Sequence, residues 1–149
     1  MDAASDPEVI DLEIPARPEV VSIARLVVGA IVSADPLFDD DRAADLRLAV
    51  SEACTNAVQA QMAVAGDAPP VSMRCTCDVG SIVVEVTDHA GGFDPAALQP
   101  HPEVTDPARL DYEGGLGIPL IRMLADGLEF VRTDDGTTVV MRFEPRPAD

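Results

Sequence analysis

"SEACTNAVQA", residues 51–60, lies in a stretch whose other residues are mostly small and apolar. Within it Glu52 and Asn56 are four residues apart. On an α-helix, residues i and i+4 project from one side, a turn apart, so a carboxylate and a carboxamide are presented together. Such a pair alone is what a solvated helix face carries. Its meaning depends on the surrounding chain. Leu46, Val50, Ala53 and Ala57 fall on one stripe at helical spacing, within a helix expected over 42–64. Glu52 and Asn56 sit on the flank of that stripe, where a polar pair borders a cleft beside the core.

Outward from this helix the pattern divides cleanly. Residues 9–14, VIDLEI, alternate as a strand. A first helix is expected over 19–33, its apolar positions being Val20, Ile23, Leu26, Val27 and Ile31, and the aspartates of "ADPLFDDD" suit the N-terminus of the next helix. Two strands follow over 71–78 and 82–88, joined by "VGS". Residues 90–113 hold prolines, glycines and acids without a sustained period, and so long a loop in a compact domain is a lid, a binding loop or disorder. A short helix begins near Gly117, with Gly127 as its stop, and a hairpin over 128–133 and 137–143 closes the order β-α-α-β-β-lid-α-β-β. Grouped helices and strands of this kind favour an α+β two-layer sandwich. The 149 residues have the length of one domain, with its core over about 9–143, and 47% of them are hydrophobic.

Composition excludes several function classes. All ten basic residues are Arg, so a Walker A lysine and a Schiff-base lysine are both absent. Aromatics are 3% of the chain and the net charge is −17, which argues against stacking platforms and against direct nucleic-acid binding. The three cysteines, Cys54, Cys75 and Cys77, read as reduced thiols of a cytoplasmic protein rather than a zinc site. No apolar run reaches the ~18 residues of a membrane span.

Three more patches carry chemistry. In "VEVTDHAGGFDP" Asp88 ends a strand, where its carboxylate can accept a hydrogen bond from an exocyclic amino group, and the glycines after it let backbone approach a flat ring. In "EGGLGIPLI" glycines lead into a helix N-terminus, whose free N–H groups suit phosphates. Gly136-Thr137 opens the last strand, and a Thr hydroxyl there can bridge a carboxylate and a ring nitrogen. Each patch taken singly is also an ordinary turn.

Taken in order, the patches resemble the Bergerat ATP-binding fold of the GHKL superfamily, which includes gyrases, chaperones, histidine kinases and mismatch-repair ATPases. "EACTNAV" resembles its N box, "DHAGGF" its first glycine box and "EGGLGI" its second. The length, and "EGGLGIPLI" followed by "LAD", narrow the resemblance to the anti-sigma factor serine kinases of RsbW type. The resemblance implies a mixed, mainly antiparallel sheet with helices on one face. It implies ATP and Mg²⁺ as cofactors, with Asn56 as metal ligand and Glu52 as catalytic base. It places Asp88 and Thr137 at adenine, and Gly92, Gly114, Gly115, Leu116 and Gly117 around the nucleotide. It implies a STAS-type antagonist as substrate, a sigma factor as second partner, and a homodimer. Ala90 stands where the superfamily has the first glycine of its first glycine box, and Glu113 where some members carry Arg. Two functions stay open on those residues: a kinase that also sequesters a sigma factor, and a partner-switching module without turnover.

Overall fold

The computed structural model describes residues 6–64, 69–90 and 117–147. The expected lid over 90–113 lies outside these residues apart from Ala90. Five strands and three helices appear in the expected order: β1 (Glu8–Ile14), α1 (Val21–Ser33), α2 (Asp40–Met62), β2 (Val71–Asp78), β3 (Ser81–Asp88), α3 (Gly117–Leu124), β4 (Gly127–Arg132) and β5 (Thr137–Phe143). A 3-10 turn, Pro18–Val20, precedes α1. The stop assigned to Gly127 falls three residues earlier, since α3 ends at Leu124 and Gly127 opens β4.

The strands form one sheet in the order β1-β2-β3-β5-β4. Every neighbouring pair is antiparallel, which corrects the expectation of a mixed sheet. The connections explain this. Two successive helices join β1 to β2, so the chain goes out and back and returns antiparallel. Among the described residues α3 lies between β3 and β4, and these two strands do run in the same direction. β5 lies between them, so the parallel pair never shares hydrogen bonds.

Alternation assigns the two faces of the sheet. Ile14, Val71, Met73, Cys75, Ile82, Val84, Val86, Met141 and Phe143 are buried beneath the helices. Each fully buried side chain of Val, Ile, Met or Phe size contributes roughly 1.5–3 kcal/mol. The opposite face is uncovered among the described residues. It holds a shallow polar groove of about 430 Å³ that includes Asp11, Glu13, Arg74, Glu85 and Thr138. Arg74 bonds Asp11 there at 2.7 and 3.3 Å, and holds its carboxyl below the usual range.

α2 supplies the centre of the core. Leu46, Val50, Ala53 and Ala57 are all buried, as their spacing predicts. Asp39 caps the helix by accepting from the Arg42 backbone N–H at 2.7 Å, and Asp40 and Asp41 occupy its first turn. α1 meets expectation in part. Val20 just before it is buried, and Val27 and Ile31 pack partly buried against the core. The helix's fully buried residues are Val21, Ala24, Val28 and Val32, however, and Ile23 and Leu26 are 48% and 74% exposed. α1 is apolar on more than one side, and packing chose the stripe that carries small Ala24. Beside that contact Gly29 leaves room for the Arg47 stem, whose Cδ would lie 3.2 Å from an added Cβ.

Arg42 joins the ends of four elements. Its side chain is 4% exposed. Nε donates to the Glu144 carbonyl at 2.9 Å, Nη1 to the Leu124 carbonyl at 2.6 Å and to Asp45 at 3.2 Å, and Nη2 to the Asp126 carboxylate. The Phe143 ring lies 5.4 Å from the guanidinium carbon. Leu124 is the last residue of α3, so a cation here satisfies a helix C-terminus and suits its dipole. Asp126→Ala removes one of the two carboxylates bonded to Arg42 and also the acceptor of the Glu144 N–H. Hydrogen bonds to charged groups are worth about 1.5–3 kcal/mol, so urea denaturation is expected to show a loss of about 2 kcal/mol. A change under about 0.5 kcal/mol, ordinary for a surface site, would rule out this role.

Candidate functional site

α2 carries its core stripe and its polar pair on adjoining arcs. Asn56 comes fourteen residues after Arg42, within about 40° of it around a helix of 3.6 residues per turn, and Glu52 lies about 80° from it. Arg42 reaches the end of α3. Asn56 therefore lies on the flank turned toward α3, with Glu52 at its outer edge. Both residues are half-buried, between the solvent and the core, as the flank position predicts. Neither side chain has a hydrogen-bond partner among the described residues, which leaves both free to act.

The sheet brings Asp88 and Thr137 together. They are direct partners in the β3–β5 ladder. By parity both project to the helix side, with Val86 and Val139 next in line. One carboxylate oxygen of Asp88 accepts from the Ala90 N–H at 3.0 Å, and the other has no partner among the described residues. On the opposite face, Thr87 and Thr138 bond each other at 2.8 Å and tie the same two strands.

Gly136 has a stringent reason to be glycine. A Cβ there would collide with the Asp88 carbonyl oxygen and lie 2.9 Å from His89 Cα. The start of β5 thus presses directly on the backbone of Asp88. Thr133 closes the β4–β5 turn by bonding Gly136 through both its N–H and its hydroxyl. Ala90 occupies the superfamily's glycine position without strain, since no non-glycine residue described has positive φ.

Of the other expected site residues, Gly117 is the first residue of α3. Gly92, Gly114, Gly115 and Leu116 lie outside the described residues. Burial pushes the thiols of Cys54 and Cys75 up to about 12 and raises that of half-buried Cys77, which disfavours the thiolate at all three. Among the described residues no group of His, Cys, Asp or Glu is arranged to hold a metal by itself. No helix described is long and apolar enough to cross a membrane.

The sequence reasoning missed Arg42, Asp126 and Gln61. Arg42 and Asp126 are distant in sequence, and only the fold pairs them. Gln61 left a legible signal: it continues the Leu46–Val50–Ala57 stripe, where an apolar residue is expected. It is 1% exposed, and its carbonyl accepts the His89 N–H at 2.7 Å.

Comparison with known proteins agrees with this geometry. The family model described as the histidine kinase-like ATPase domain matches residues 14–143. The chain is 36% identical over 139 residues to the serine-protein kinase RsbW of Bacillus pumilus, spanning 90% of this chain and 84% of the relative. It is 38% identical over 136 residues to RsbW of Bacillus licheniformis, spanning 89% and 82%. The chain belongs to the histidine kinase-like ATPase family, among the RsbW-type proteins. The RsbU and RsbW domains of a Mycobacterium tuberculosis protein share its fold, with a TM-score of 0.65 at 15% identity, over 95% of this chain and 34% of that one. A blue-light-activated histidine kinase of Erythrobacter litoralis follows at 0.51 and 22%, over 97% and 70%.

In an RsbW-type chain of this geometry, Gly136→Ala is expected to push β5 away from Asp88. Overpacking of this kind costs about 1–3 kcal/mol, and ADP affinity is expected to fall with it. Gly127→Ala is the control, because its Cβ meets only the flexible Arg142 side chain, at 3.2 Å. Equal stability of the two variants in urea would show that the close approach at Gly136 is not a constraint.

Proposed function

We propose that this chain is an ATP-dependent protein-serine/threonine kinase that phosphorylates a STAS-type antagonist and, when not so engaged, holds a sigma factor. The observation that carries the reading is the pairing of Asp88 with Thr137 on the face of the sheet covered by α2, the helix that bears half-buried Asn56 and Glu52. The identity to serine-protein kinases named RsbW supports it.

The described residues fit an adenine nucleotide. Asp88 keeps one acceptor oxygen free, and the close packing of Gly136 on its carbonyl holds it in place. Mg-ATP, when bound, supplies the γ-phosphoryl group. Asp88 accepts the adenine amino group and Thr137 supports it. Asn56 offers a carboxamide oxygen to Mg²⁺, an ion that takes few protein ligands beside phosphates and water. By the resemblance, Gly92 would let backbone approach the ring, and Gly114, Gly115, Leu116 and Gly117 would offer N–H groups to the phosphates. Glu52 accepts the proton of the Ser or Thr hydroxyl of the substrate. The reading includes a cytoplasmic single domain over residues 1–149 that works as a homodimer.

The test is transfer of phosphate from Mg-ATP to purified STAS proteins of the same genome. Glu52→Gln is expected to slow transfer roughly 10²–10⁴-fold, the usual worth of a general base, while ADP binding persists. Asn56→Ala is expected to lose Mg-dependent affinity and transfer together. Asp88→Asn is expected to weaken ADP at least about tenfold, or about 1.4 kcal/mol. Transfer by Glu52→Gln at the parental rate would remove the base assignment. Sigma-factor binding without transfer to any STAS protein would favour the switching module without turnover.

A further inference from the structure

Gln61 occupies a core position on α2, and an apolar residue of similar volume would fill it. Its carboxamide oxygen has a clear task, accepting the His89 N–H at 2.7 Å. Its nitrogen does not. Nε2 is buried and has no hydrogen-bond partner among the described residues. Native interiors leave few such groups, and an ordered water or a ligand is the usual explanation. The position of the amide narrows the choice. His89 directly follows Asp88, and Gln61 reaches that backbone from the helix side, to which the Asp88 and Thr137 side chains also project.

The end of the sheet therefore gathers three groups of different character. Asp88 brings a free acceptor oxygen, Thr137 a hydroxyl and Gln61 an unused N–H donor. The Watson–Crick edge of a 6-aminopurine presents an amino donor beside a ring-nitrogen acceptor. A 6-oxopurine presents the reverse, a carbonyl acceptor beside an N–H donor. Asp88 alone reads only the first of these two positions. The geometry points to Gln61 as a specificity-determining residue of the base pocket: its amide nitrogen donates to the purine ring nitrogen beside the amino group, directly or across one water, while its oxygen fixes the strand end that aims Asp88. This inference rests on the adenine-nucleotide reading of the site. A 6-oxopurine then faces two mismatches, its carbonyl against Asp88 and its N–H against Gln61.

Two variants separate the two halves of the amide. Gln61→Glu keeps an acceptor for the His89 N–H and removes the amide donor. Gln61→Met removes both at similar volume. Calorimetry with ADP and with inosine diphosphate, on the full chain, gives affinity and base preference, and thermal melting shows that each variant folds. Both variants are expected to bind ADP at least about tenfold more weakly and to lose a similar factor of the preference for ADP over inosine diphosphate. A residue that only holds the turn leaves that preference unchanged, even where stability or overall affinity falls. An unchanged preference in the folded variants overturns the inference and leaves the nucleotide reading intact. Should Gln61→Glu fail to fold, the preference measured for Gln61→Met decides alone. Wild-type protein that binds neither nucleotide overturns the parent reading, and this inference with it.

Discussion

The guanidinium of Arg42 is almost wholly removed from water, yet each of its nitrogens is bonded. A cation in that position is costly to leave unpaired, so the groups around it are constrained to stay. They belong to the second turn of α2, the last turn of α3, the residue just before β4 and the chain just beyond β5. The flank of α2 that carries Asn56 and Glu52 follows from Arg42 along the same helix. Whatever fixes Arg42 against α3 also sets how that flank meets α3. Asp126 strengthens the arrangement twice over, since the oxygen that takes Arg42 also accepts the Glu144 N–H at 2.7 Å.

The sheet supplies the second half of the site by a different means. Asp88 is aimed by backbone contacts on three sides: Gly136 against its carbonyl, Gln61 on the following N–H, and Ala90 turning back to its carboxylate. The Thr87–Thr138 bond on the far face keeps the two strands in register behind it. A carboxylate set in this way commits one oxygen to its own turn and presents the other. Helix and sheet thus contribute by separate routes, one through a buried ion cluster and one through close backbone approach.

Much of this was legible from local pattern. The stripe of Leu46, Val50, Ala53 and Ala57 defined α2 because one buried face imposes helical spacing, and the strands expected over 71–78 and 137–143 match β2 and β5 to the residue. The pairing of Asp88 with Thr137 needed the register, which no local pattern states. The mixed sheet was an expectation of the resemblance, and no local pattern spoke to it. Insertion of β5 between the two parallel strands is a tertiary choice. Two of the α1 positions, Ile23 and Leu26, were misassigned because a helix apolar on several sides does not announce which side packs. Gln61 was the exception among the missed residues, a polar side chain at a core position whose spacing was visible from the start.

Charge raises a last constraint on the site. The chain carries a net −17, and a nucleotide adds more negative charge. At physiological ionic strength exposed charges beyond about 8 Å are largely screened, so the distant acids matter less than those beside the site. The polar flank of α2 adds little to the repulsion. Asn56 offers an oxygen without a charge, and Glu52 is the one carboxylate of the pair. The acids of the α2 N-terminus, Asp39, Asp40 and Asp41, lie three turns or more from Asn56 along the helix, where they favour the helix dipole. On the proposed reading, a divalent cation and backbone N–H groups would offset the phosphates locally, and a protein without lysine would in that way accommodate an anion that its overall charge repels.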